Sequence, residues 1–136
     1  MIVVDTSVVI AVIFGESSAF QLMTRLLEEP AGERRMSAAS YIEAGTVIAG
    51  RKTANPSAAV AQLDAFLSDA RIDLIAVDDS QARAALHARI RYGKGMGHGG
   101  ALNFGDCFSY ALAKALNAPL LYVGDDFIRT DVVSAL

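Results

Sequence analysis

The sequence predicts an α/β fold: a central parallel sheet of four to five strands between two layers of helices, formed by one domain over residues 1–136. Three observations carry this. Short β-branched or aliphatic runs alternate with longer helical patterns. Capping residues follow the runs directly, so strand hands over to helix as βαβ crossovers require. With 53% hydrophobic residues the chain can bury a full core without disulfide or structural zinc.

The elements follow in order. Ile2, Val3 and Val4 read as a buried strand. Asp5, Thr6 and Ser7 offer helix caps, residues 8–14 a short helix, and Gly15 its end. Ser17 or Ser18 caps a second helix through Glu29, with Phe20, Met23, Leu26 and Leu27 on its inner face. Pro30, Ala31 and Gly32 make a turn into a weak strand at residues 34–36. A helix starts at Ser37 or Ser40 and runs to about Gly50. Another starts near Pro56 and runs to about Ser68, with Val60, Leu63 and Leu67 inward. Residues 72–77 form a strand, and Asp78, Asp79 and Ser80 cap a helix through Tyr92. Residues 93–100 are glycine-dense and read as a loop. Asn103 caps a helix to about Leu116, residues 120–123 form a strand, and residues 131–133 are expected at a sheet edge.

Acidic residues recur where strands end and helices begin: Asp5, Glu43, Asp106, and Asp125 or Asp126. Carboxylates at the C-terminal ends of parallel strands face one crevice. Gathered there they repel unless a cation lies among them, so the pattern points to a divalent metal and chemistry on phosphate. Each acid has a plainer reading. Asp5 can be an N-cap, and Ser40–Glu43 and Asn103–Asp106 have capping-box spacing. Ser7 is either a further cap or a ligand of metal, metal-bound water or phosphate. Arg89, Arg91, Lys94 and His98 surround the glycine loop, as a solvated helix end or as a rim for a polyanion.

Other features exclude function classes. The formal charge of −3 becomes weakly basic once the four acidic positions are set aside, so charge neither requires nor forbids a nucleic-acid substrate. Gly95 to Gly100 spells G-x-G-x-x-G but follows a helix rather than a strand, which removes the dinucleotide reading. His87 and His98 lack partners at zinc spacing. Cys107 reads as a small buried residue, and Tyr41, Tyr110 and Tyr122 as core or half-core positions. The lone cysteine and the absence of a leader-like or membrane-length apolar run predict a cytoplasmic protein. A receiver-type phospho-accepting domain would want paired acids after the first strand, where Asp5 stands alone.

Together these segments resemble the PIN-domain ribonucleases, and among them the VapC toxins of bacterial toxin–antitoxin pairs. The resemblance is carried by Val4-Asp5-Thr6-Ser7, by Ser37 through Glu43, by Tyr92-Gly93-Lys94-Gly95, by Leu102 through Lys114 and by Pro119 through Asp131. It implies a PIN-like three-layer α/β/α sandwich. It also implies a metal-dependent endoribonuclease using Mg2+, or Mn2+, with Asp5, Glu43 and Asp106 as the metal-site carboxylates. The fourth acid maps to Asp125 or Asp126, and Ser7 matches the position after the first aspartate. An RNA substrate, a homodimer and a cognate VapB-type antitoxin are implied as well. A PIN-type nuclease acting on DNA is the alternative, since the same acids suit either sugar.

Overall fold

The computed structural model describes residues 1–51 and 55–136. Its order is β1 (Ile2–Val4), α1 (Thr6–Ile13), α2 (Ala19–Glu28), β2 (Arg34–Ser37), α3 (Ala38–Arg51), α4 (Pro56–Asp69), β3 (Asp73–Ile75), α5 (Asp79–Tyr92), α6 (Asp106–Leu116) and β4 (Leu120–Leu121). The four strands lie in the order β3-β2-β1-β4, and every pairing is parallel.

β1 is central and wholly buried. Its side chains alternate across the sheet as a strand demands. Ile2 and Val4 join a core with Leu22, Leu26, Met36, Ile48 and Leu63, under α1 to α4. Val3 joins the opposite core with Leu102, Tyr110, Leu112 and Leu120, under α5 and α6. Those two packed faces make the three layers.

The predicted cap at Asp78 forms, its side chain accepting from the Gln81 N–H at 2.8 Å. The helix predicted near Pro56 has Pro56 at its first position, capped by Asn55, which accepts from Ala58 at 3.1 Å and was not foreseen. Other expectations need correction. Phe20 is 85% exposed and Leu27 is exposed too, while Leu22 and Leu26 carry the inner face of α2. Val60 is 41% exposed, and Ala59 takes the inward place beside Leu63 and Leu67. The strand predicted at residues 72–77 narrows to Asp73–Ile75, and the one at 120–123 to Leu120–Leu121. Residues 131–133 form no strand; a single bridge joins Leu120 to Ser134.

The chain steps outward from β1 to β2 to β3, then returns through α5 and α6 to place β4 on the other side of β1. That reversal lies between β1 and β4. In open α/β sheets the crevice beyond the strand ends at such a point is the ligand site.

Candidate active site

Asp5 leaves β1 at the reversal and caps α1. Its Oδ2 accepts from the Ser7 N–H at 2.9 Å and from the Ser7 hydroxyl at 2.6 Å. Its Oδ1 accepts from the Ser109 hydroxyl at 2.6 Å. Three donors fix the carboxylate while burying it. Ser7 Oγ in turn accepts from the Val123 N–H at 3.0 Å, which ties the end of β4 to the end of β1.

Asp106 opens α6 in the reciprocal arrangement that its spacing predicted. Its N–H donates to Asn103 Oδ1 at 2.9 Å, and its Oδ2 accepts from the Asn103 N–H at 2.9 Å. Burial pushes the Asp106 carboxyl up to about 7; the Asn103 N–H opposes this, and the charges of Asp5, Asp126 and Glu43 reinforce it. Glu43 is also raised, first by burial and then by the charge of Asp5, with the Thr6 hydroxyl acting against both. The single Thr6 proton lies between Glu43 and the Ser40 carbonyl oxygen, which accepts it at 3.0 Å.

Glu43 reaches the cluster from α3 by lying against the backbone of Gly105. A Cβ built on Gly105 would fall 1.4 Å from Glu43 Oε2. Past β4, Gly124 adopts φ +95° and turns the chain into Asp125 and Asp126, both exposed. Of that pair, it is Asp126 whose charge bears on Asp106.

The predicted capping box at Ser40 does not form. α3 begins at Ala38, so Ser40 lies inside the helix with its hydroxyl 3.0 Å from Ser109 Oγ. Ser37 Oγ accepts from the Ala39 N–H instead. Ser109 was missed by sequence reading. Its signal is the three-residue step from Asp106, which puts both on one face of α6.

The basic residues stand apart from the carboxylates. Arg89 folds back to donate to the Lys94 carbonyl at 2.9 Å, and Arg91 stacks on Tyr92 at 4.8 Å. Lys94 and His98 are exposed on the glycine loop. Arg129 clips that loop to the segment after Asp126 by donating to the Gly99 carbonyl. Among the described residues, no ion pair involves Asp5, Glu43, Asp106, Asp125 or Asp126.

The crevice thus offers oxygen donors only, with negative charge and no basic partner, which suits a hard divalent cation. Among the described residues no three of these side chains close into a ready coordination shell. They stand at electrostatic range, compatible with an ion held by one or two carboxylates and otherwise by water.

Comparison with known proteins bears on the chain as a whole. The PIN domain family matches residues 2–133. Ribonuclease VapC42 of Mycobacterium tuberculosis is 43% identical over 130 residues, covering 96% of this chain and 95% of that protein. Ribonuclease VapC of Mycolicibacterium smegmatis is 45% identical over 132 residues, covering 97% and 98%. Among solved structures, Mycobacterium tuberculosis VapC20, a sarcin–ricin-loop-cleaving toxin, superposes with a TM-score of 0.76 at 19% identity, covering 98% of this chain and 97% of that one. VapBC2 from Rickettsia felis, bound to a DNA fragment from its promoter, gives 0.72 at 19% identity, covering 98% and 96%. With the carboxylate crevice at the β1/β4 reversal and full-length relatives above 40% identity, this chain belongs to the PIN-domain family and, within it, to the VapC ribonucleases.

Proposed function

We propose that this chain is an endoribonuclease toxin that hydrolyses RNA phosphodiester bonds with Mg2+ or Mn2+, and that a VapB-type antitoxin holds it inactive. The observation that carries the reading is the convergence of Asp5, Glu43, Asp106 and Asp126 without a basic partner among the described residues, with Asp106 pushed up to about 7 by burial and its neighbours' charge. Asp5 and Asp106 are the direct ligands in this reading; Glu43 and Asp126 hold a second ion or ordered water.

A bound divalent ion supplies a water of lowered pKa and offsets charge on the phosphate oxygens. The protein's own part is orientation and protonation. Asp5 is held by its three donors and needs no rearrangement. Asp106 must give up its proton to bind, so affinity rises with pH through about 7. Ser7 has its only proton on Asp5, so toward substrate it can act only as an acceptor. Lys94 and His98 are exposed to meet the RNA backbone, with Arg91 stacked on Tyr92 beside them, while Arg89 is committed to its own loop.

Two apolar recesses flank Phe104 and Phe108, of about 360 Å³ beside α3 and about 250 Å³ beside α5. With exposed Ile42, Leu86, Ile90 and Phe104, they form the surface we assign to a homodimer contact. The exposed Phe20 of α2, beside a recess that includes Leu136, is the surface we assign to the antitoxin. Among the described residues no helix is long and apolar enough to cross a membrane, and we place the protein in the cytoplasm.

The test is cleavage of matched RNA and DNA strands by the wild type, Asp5→Asn and Asp106→Asn, with Mg2+ or chelator. We expect Mg2+-dependent cutting of RNA alone and a loss of at least about 100-fold in either variant, the scale of removing one electrostatic contact to the reacting group. Wild-type rates in both variants, or equal cutting of DNA, would overturn the assignment.

A further inference from the structure

Ser109 is 0% exposed and Ser40 is 1% exposed. Their hydroxyls are 3.0 Å apart, and Ser109 Oγ is 2.6 Å from Asp5 Oδ1. A serine hydroxyl has one proton. Ser109 gives its proton to Asp5, so Ser40 must be the donor to Ser109. The chain therefore has one direction: from α3, through α6, to the carboxylate at the end of β1.

This direction limits what Asp5 can offer. An ionised carboxylate has about four lone-pair sites, two on each oxygen. The Ser7 N–H and hydroxyl occupy both on Oδ2. Ser109 occupies one on Oδ1, which leaves a single site there. Rotation of the carboxylate would break at least one of these bonds, and the Val123 N–H holds Ser7 Oγ in place.

We propose that Ser109, backed by Ser40, is a positioning residue that fixes the rotation of the Asp5 carboxylate, so that with Ser7 holding Oδ2 only one lone pair on Oδ1 stays open, and so tunes the crevice toward Mg2+ or Mn2+ over Ca2+; this rests on the divalent-metal reading above. A small octahedral ion takes one oxygen per carboxylate and keeps its water. Ca2+ accepts two oxygens from one carboxylate in a looser shell, which Asp5 provides only by turning away from Ser109 and giving up a Ser7 bond; without Ser109 that turn meets one bond fewer.

The experiment is calorimetric titration of the full chain with Mg2+ alone and with Ca2+ alone, for wild type, Ser109→Ala, Ser109→Cys and Ser40→Ala, with melting in chelator as a check on folding. Loss of such a supporting bond costs about 10-fold to 100-fold in metal affinity. Ser109→Ala is expected to weaken Mg2+ by about 10-fold and leave Ca2+ unchanged or tighter. Ser109→Cys, with its weak S–H donor, should fall between Ser109→Ala and wild type, and Ser40→Ala should shift the Mg2+/Ca2+ ratio in the same direction by less. Equal weakening of both ions would mark Ser109 as merely structural and overturn the proposal, as would an unchanged Mg2+ affinity. If Ser109→Ala does not fold, an unchanged ratio in Ser40→Ala overturns it equally. Wild type that binds no Mg2+ at all removes the metal reading itself, a different result from a wild type that binds and a Ser109→Ala variant that binds as well.

Discussion

The two ends of the sheet treat charge in opposite ways. At the N-terminal end of β1 and β2 the charges of Met1, Arg25, Glu29 and Arg34 are partnered. The Met1 ammonium lies 3.0 Å from Glu29 and 3.6 Å from Glu33, and Arg25 lies 3.0 Å from Glu29. Arg34, only 7% exposed, donates to the carbonyls of Glu29 and Ala70 at 2.6 Å each. At the C-terminal end Asp5, Glu43, Asp106 and Asp126 crowd together, and none has a basic partner among the described residues. Acids therefore shift in opposite directions. Glu29 is held below its ordinary range by the Met1 ammonium and then by Arg25, while Asp106 is pushed above its own. One end of the sheet is built for stability, and the other stores repulsion that a bound cation would relieve.

The sharpest way to break this contrast is Arg34→Ala. It leaves the buried carbonyl of Ala70 and the half-buried one of Glu29 without a donor, and we expect a loss of about 3 kcal/mol in chemical denaturation. If the variant stays within about 1 kcal/mol of wild type, the compensated end contributes little.

Next is pH. Asp106 titrates near 7 folded and near its ordinary 3.8 unfolded. The folded state therefore binds more protons between these values, and acidification through 7 stabilises it. At about 1.4 kcal/mol per pH unit, metal-free protein should gain about 2 kcal/mol on going from pH 7 to pH 5.5. Asp106→Asn should flatten that slope, and identical slopes in both proteins would place the repulsion elsewhere. Glu29 has the opposite sign: its lowered pKa contributes stability above its ordinary 4.5, lost as pH falls below that value. Glu29→Gln should cost no more than about 1 kcal/mol at pH 7, and less in high salt, because the pairs are partly solvated. A larger, salt-independent loss would mean that Glu29 acts through packing rather than charge.

Much of this was legible in the sequence because local rules and tertiary structure agree there. Ile2 to Val4 is apolar on both faces, as a central parallel strand must be. Asp5, Asp78 and Asn103 all bond as caps. Glu43, in the second turn of α3, and Asp106, the first residue of α6, come within electrostatic reach of each other and of Asp5. Which stripe of a helix faces inward was less legible. Phe20, Leu27 and Val60 lie next to the true inner stripes of α2 and α4, and the periodicity of ten to fourteen residues does not separate neighbouring stripes without knowing what packs on them. The Ser40–Ser109–Asp5 chain was invisible for another reason. It joins residues 69 and 104 positions apart, and no local pattern encodes such contacts.

The meeting of Gly105 with Glu43 has an evolutionary consequence. A Cβ at position 105 would overlap the Glu43 carboxylate, so that side chain would have to swing away from where it lies. The two positions thus form one mutational unit spanning two helical layers. Drift at position 105 is constrained by the glutamate, because a lineage that lost the glycine would push that carboxylate from its present place.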